Sequence, residues 1–192
     1  MSILHNTLKR IPPEHKINMS YLELGYENLE NVGNNFKQVD GFKSQISVDM
    51  NNHNASYTMT TDEFFKLNKH KFDIIYIDAG HTYDQVLTDY NNSVKALNEG
   101  GVIFIHDLFP PNIEFTIPGY CGDGFRLLSD LIMLERDFLT YVPDMGLTQI
   151  FNNQEINSYN DISYNDFLNL ITNNEKTTTN LEEWVVNFLK NI

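Results

Sequence analysis

Two apolar runs in this chain finish on the same pair of residue types. "FDIIYID" closes on Asp78 and is followed by Ala79, Gly80 and His81. "GGVIFIHD" then closes on His106 and Asp107. An imidazole titrates near neutral pH, so His81 or His106 could take a proton from a substrate hydroxyl. A second chemistry is metal binding: Asp78, His106 and Asp107 could hold a divalent cation that orients and acidifies such a hydroxyl. A histidine in that set suits magnesium less well than oxygen alone would. Each histidine also has a plainer reading, as a helix cap or as the partner of Asp84 or Asp107.

The elements that must position these residues follow from periodicity. "KFDIIYID" (71–78) and "VIFIHD" (102–107) are apolar at successive positions, as strands covered on both faces are. Between them, Val86, Tyr90, Val94 and Leu97 share one face of a helix over 82–98, which "EGG" ends. Upstream, "YLELG" (21–25) and "KSQISVDM" (43–50) read as strands, "ASYTMT" (55–60) as a weaker one. A helix over 27–39 joins the first two. "TDEFFKL" opens another helix capped by Thr61 or Asp62. Residues 1–19 are polar and Pro-broken, at most a short helix.

Downstream, 108–124 is a loop with three prolines and three glycines, long enough to act as a lid. "FRLLSDLIMLERD" (125–137) is an amphipathic helix. Two β-rich runs around Pro143-Asp144-Met145-Gly146 predict an antiparallel hairpin over 138–151. The tail adds helices near 164–171 and 180–190. Strands that alternate with helices and close on a hairpin predict an α/β, Rossmann-like fold. Its sheet is mostly parallel and seven-stranded, with helices on both faces. The expected organisation is one domain, 1–192, with a core over 20–151 and a helical tail over 152–192.

In such sheets ligands bind at the carboxyl ends of the strands. Asp49 ends the second strand, where a carboxylate can accept both hydroxyls of a ribose. Gly25 ends the first, where the missing Cβ lets a ligand approach the backbone. The stretch "GYENLENVG" lacks the second and third glycines of a dinucleotide fingerprint. Glu27 and Glu30 would also repel a pyrophosphate at the helix start. A nicotinamide or flavin enzyme is therefore disfavoured.

Bulk properties narrow the class. The 192 residues carry a net charge of −13, which disfavours nucleic-acid partners. The single cysteine, Cys121, allows no internal disulfide and suits a reducing compartment. It reads as a bystander in a flexible loop. Asp123 reads as the cap of the following helix or as a substrate contact, and Trp184 as core or interface. No apolar run reaches the ~20 residues of a membrane span, and no signal peptide is visible, so a cytoplasmic protein is expected.

These stretches resemble class I S-adenosylmethionine (SAM)-dependent methyltransferases, and most closely the small-molecule and sugar-type branch called methyltransferase family 24. "YLELG", "SVDM", "MTTDEFF", the long block from "FDIIYIDAGH" to "FIHDLFP", "GDGFRLL" and "YVPDMGLTQIF" carry the resemblance over residues 20 to 151. It implies that Glu23, Gly25 and Tyr26 lie under the methionine part of SAM. Asp49 would hold the ribose, and Met50, Thr60 and Thr61 would border the adenine. Asp78 would face the methionine amino group or the methyl-transfer centre. Some relatives with a paired acid at the fifth strand end bind magnesium, which the resemblance extends to this chain as an expectation.

The family commonly has a second glycine where this chain has Leu29. The implied activity is methyl transfer to a small hydroxylated acceptor such as a sugar. Its reactants would be aligned by the site and the acceptor proton removed by His81 or His106, with Asp78 alongside. The alternative is a non-catalytic binding module on the same fold. The apolar tail helices could form a homodimer contact.

Overall fold

The computed structural model describes residues 3–25, 39–157, 160–172 and 174–192. The expected helix over 27–39, together with Tyr26 and Leu29, lies outside them except for Val39. The described strands are β1 (Ser20–Leu24), β2 (Ser44–Asp49), β3 (Tyr57–Thr58), β4 (Phe72–Ile77) and β5 (Leu97–Ile105). They are followed by β6 (Phe138–Tyr141), β7 (Leu147–Ile150) and β8 (Thr177–Thr178). They form one sheet in the order β3-β2-β1-β4-β5-β7-β6-β8. The first five are mutually parallel where they pair, and β7 runs antiparallel to both β5 and β6. The order reverses at β1, between β2 and β4, which is where such sheets open a ligand crevice.

The α/β class and the closing hairpin match the sequence reading. The sheet has one strand more than the expected seven. β8 is two threonines that pair in parallel with Thr140 and Tyr141. A two-residue strand between helices is too short to leave a period in the sequence.

The helices are α1 (Ile3–Leu8), α2 (Pro13–Lys16), α3 (Thr61–Leu67), α4 (Tyr83–Ala96), α5 (Phe125–Met133), α6 (Tyr164–Ile171) and α7 (Leu181–Lys190). Strand alternation sorts the interior into two layers. Leu22, Leu24, Ile75, Ile77, Ile103 and Ile105 pack with Val86, Tyr90, Leu128 and Phe167 from α4, α5 and α6. Tyr21, Ile74, Tyr76, Val102 and Phe104 face the other way, toward Leu4, Leu8, Trp184 and Phe188. Residues 1–19 are therefore not a polar preamble: Leu4, Leu8 and Ile11 are buried in the second layer. Three apolar side chains in a short, Pro-broken segment give no helical stripe long enough to read. Trp184 is core, its Nε1 donating to the Leu139 carbonyl at 3.2 Å. The apolar faces of α6 and α7, considered above for a dimer contact, are packed within the chain. Among the described residues no helix is long and apolar enough to cross a membrane.

Candidate functional site

Three strand ends at the switch point are locked by one further ladder bond each. Gly25 N–H donates to Val48 O at 2.9 Å, Asp78 N–H to Leu24 O at 2.8 Å and His106 N–H to Ile77 O at 3.0 Å. The first residue beyond each of β1, β4 and β5 is thus fixed in place before its side chain makes any contact. Gly25 sits at φ +82°, and a Cβ there would lie 1.8 Å from the Asp78 carbonyl oxygen. Only glycine lets the two chain ends pass so closely.

A cavity of about 560 Å³ opens here, within the usual range for small-molecule sites. Its walls are Gly25, Val48, Asp49, Met50, Asn51, Met59, Thr60, Thr61, Asp78, Ala79, Gly80, His81, Gln85 and Gly119. Of the residues assigned above to a cofactor, Gly25, Asp49, Met50, Thr60, Thr61 and Asp78 line it together. Met50 is 63% exposed, a large apolar side chain at the mouth. Asp49 Oδ1 accepts the N–H groups of Asn51 and Asn52, which folds the loop after β2 around its carboxylate. The cap of α3 is Thr60, one residue before the expected position, in a reciprocal bond with Glu63. Thr61 instead accepts a hydrogen bond from Gln85.

Glu23 lies elsewhere. It is buried on the second layer, where its Oε2 meets His5 Nε2 at 3.0 Å and accepts Tyr21 OH at 2.8 Å. The structure does not bring it into the cavity wall, because strand alternation turns it beneath Gly25 toward α1.

At the other end of the cavity the titratable groups meet. Tyr76 OH donates to Asp78 Oδ2 at 2.9 Å. Asp78 Oδ1 lies 3.6 Å from both His81 Nε2 and His106 Nδ1. Asp107 Oδ2 is 3.4 Å from His81 Nε2, and its Oδ1 is 3.2 Å from His106 Nδ1. Asp107, two residues beyond the end of β5, adopts φ +63°, a strained backbone for a non-glycine residue.

The ligand atoms that converge within 4.8 Å of one another are those of Asp78, His81 and Asp107. His106, expected in that set, braces both carboxylates from the side. Its Nε2 reaches Asp144 Oδ2 at 3.6 Å. Asp144 was missed as a site residue, although its place was readable. A strand antiparallel to β5 must begin at the carboxyl end of β5, so the turn before β7 falls beside His106.

Charge decides the protonation of the group. Burial works against ionising Asp78, but the His106 and His81 imidazoles beside it, with the Tyr76 hydroxyl, hold its carboxyl well below the usual range. His81 is raised by its pairing with Asp78 and by the Asp107 charge, against partial burial. For His106, burial would lower the pKa, yet Asp107, Asp144 and Asp78 together raise it well above an ordinary histidine. His106 is therefore a bound cation among three carboxylates at neutral pH, not a ready base. The three carboxylates outnumber the two imidazoles, which favours a further cation. His81 Nδ1 meets the Tyr120 carbonyl at 2.5 Å, so that nitrogen is the donor and Nε2 points at the carboxylates.

The loop 108–121 closes over this end. Phe109 N–H donates to Met145 O and Tyr164 OH to Pro110 O, while Tyr120 reaches His81. Ile113, Ile117 and Tyr120 are exposed on its outer part. Cys121 is buried, contrary to its reading as part of a flexible loop. Its Sγ lies 3.7 Å from Asp107 Oδ1, and burial beside that charge pushes the thiol up to about 12. Asp123 caps α4 rather than the following helix, its Oδ1 accepting Tyr83 N–H at 2.6 Å.

The comparisons with known proteins agree with this geometry. No curated protein sequence matches the chain. The solved structure of the MycE methyltransferase from the mycinamycin biosynthetic pathway, in complex with Mg and S-adenosylhomocysteine (SAH), is similar at TM-score 0.53 and 15% identity over 78% of this chain. That match spans half the length of MycE (50%). An O-methyltransferase from Bacillus cereus in complex with SAH gives TM-score 0.52 and 14% identity, covering 79% of this chain and 82% of that one. The SAH-bound methyltransferase PaMTH1 of Podospora anserina gives 0.54 and 16%, covering 79% of each. At these identities the likeness is one of fold. In sequence, residues 15–108, just under half of the chain, match the family described as a methyltransferase domain.

Proposed function

We propose that the chain binds SAM across the carboxyl ends of β1, β2 and β4 and methylates a hydroxyl of a small acceptor, a sugar being one candidate. The observation that carries this reading is the pairing of two half-sites in one cavity. Gly25 and Asp49 offer a close backbone approach and a ribose-binding carboxylate. Asp78, His81 and Asp107 converge beside them.

SAM supplies a methyl group already activated on a sulfonium. The chain's residues then have to align, desolvate and deprotonate. Asp49 accepts the ribose hydroxyls, and Met50, Thr60 and Thr61 border the base. Tyr26 belongs to the same assignment from the family resemblance. Asp78 faces the methionine amino group with a carboxylate that its neighbours keep ionised. The loop 108–121 excludes water over the acceptor.

The donor set of two carboxylates and one imidazole fits a divalent cation, with magnesium or manganese as the oxygen-tolerant choices. Such an ion would polarise the acceptor oxygen. Asp78, His81 and Asp107 would hold it, and His106 would fix the two carboxylates. Without an ion, His81 is the proton acceptor nearest the cavity, since it lines the wall and His106 does not.

Titration calorimetry with SAM and SAH, with and without magnesium, tests the cofactor half. Absence of heat from both ligands at millimolar concentration would end the proposal. Transfer of labelled methyl from SAM to a panel of hydroxylated small molecules tests the acceptor half. Transfer only to amines or to none would remove the O-methylation assignment.

A further inference from the structure

A fixed amide stands in the wall of the cavity, on α4. Gln85 Nε2 donates to Asp89 Oδ1 at 3.2 Å and to Thr61 Oγ1 at 3.2 Å. A carboxylate only accepts, so the nitrogen end of the Gln85 amide must face Asp89. Turning the amide over would set its carbonyl against a buried anion, an arrangement that leaves both groups unsatisfied.

Asp89 itself has no exposed surface, and its Oδ2 has no hydrogen-bond partner. It does not itself line the cavity. Its carboxylate is held by the Gln85 amide and the Thr61 hydroxyl, both of the cavity wall, so this buried charge serves to fix wall groups. Gly80 makes the space: a Cβ there would lie 2.6 Å from Gln85 Cγ. The Gln85 side chain thus crosses the end of β4 where any other residue at position 80 would stand. Its Oε1 takes no hydrogen bond from a described residue and is not buried. What remains is a single carbonyl acceptor of fixed direction, on the wall between Gly80 and Thr61.

We propose that Gln85, oriented by Asp89, selects the nucleobase: its Oε1 accepts the exocyclic amine of an adenine and rejects a 6-oxo purine. The assignment rests on the cofactor reading above. A 6-oxo base would set a carbonyl against a carbonyl, with no rotation of the amide to relieve it. Asp89 is a positioning residue here, and Gln85 the one that touches the ligand.

The test is calorimetric binding of SAH and of S-inosylhomocysteine, its 6-oxo counterpart. The wild-type protein should prefer SAH by about tenfold or more, as sites built around a donor or acceptor do. Gln85→Met keeps the length and removes the amide, and should bring the ratio near one while retaining SAH binding. Asp89→Asn can present either end of its own amide, so Gln85 can turn over. It should lower the ratio without abolishing binding.

Equal affinity of the wild type for both ligands would overturn this inference and leave the cofactor reading standing. That measurement needs no variant to fold. Failure of the wild type to bind either ligand would overturn both. An Asp89→Asn ratio equal to wild type would remove Asp89 from the mechanism.

Discussion

Replacing Asp89 by asparagine should make the protein more stable at pH 8 and not at pH 4. Burial pushes the Asp89 carboxyl up from the ordinary 3.8 to about 6, with Asp62 adding to the effect and Thr61 and Gln85 opposing it. The folded state therefore holds this proton more tightly than the unfolded chain does. Below about pH 4 both states are protonated, and no penalty exists. Between about pH 4 and 6 the unfolded chain has released the proton and the folded one has not, so stability falls as pH rises. Above about 6 both are ionised, and the folded state carries the whole cost of a buried charge.

The shift from 3.8 to about 6 corresponds to about 3 kcal/mol. Asparagine removes that cost and keeps an oxygen for Gln85. The shift is already net of the hydrogen bonds to the carboxylate, but asparagine buries an N–H2 where Oδ2 has no partner, at about 1 kcal/mol whatever the pH. The expected net gain is about 2 kcal/mol at pH 8, against a small loss at pH 4. Urea unfolding of both proteins at pH 4.5, 6 and 8 reads the difference directly, because every other titrating group cancels between them. A difference that stays flat with pH would refute the burial argument, whatever its absolute size.

Three further outcomes follow from the same structure. Gly25→Ala forces a Cβ into the Asp78 carbonyl at positive φ. It should cost about 3 kcal/mol, or about 10 °C in Tm by thermal scan, and abolish SAH binding. Asp107→Asn should weaken manganese binding about tenfold or more by calorimetry while leaving far-UV circular dichroism unchanged. In the wild type that binding should strengthen as pH rises and His81 sheds its proton. Cys121, buried and pushed up to about 12, should resist a thiol reagent at pH 8 and react only once urea unfolds the chain; prompt labelling of the native protein would contradict its placement.

The central strands were legible because burial on both faces leaves an uninterrupted apolar run, and β4 and β5 carry one each. The hairpin was legible because Pro143 to Gly146 is turn chemistry between β-rich runs. From these the strand ends, and so the neighbourhood of Asp78, His81, His106 and Asp107, could be placed on one edge of the sheet. Side-chain direction could not. Whether His81 or His106 joins the two aspartates depends on the positive φ of Asp107 and on the Tyr120 carbonyl, which no local period encodes. Glu23 was drawn to the cofactor by its place in "YLELG", and its burial against His5 is a contact across 18 residues. Cys121 and Asp123 sit in a Pro/Gly-rich stretch that reads as loose. Their partners, Asp107 and the start of α4, lie 14 and 40 residues away.

Tyr76 connects two parts of the molecule that the strand order would keep separate. Its ring lies in the layer under α1, edge-on to His5 at 6.0 Å, while its hydroxyl holds the Asp78 carboxylate. Glu23 sits beside it in the sheet register and holds His5 in turn. A shortened chain starting at residue 13 would retain every strand of the sheet and still lose the packing behind Asp78. Trimming this segment to aid crystallisation would thus disturb the candidate site from behind.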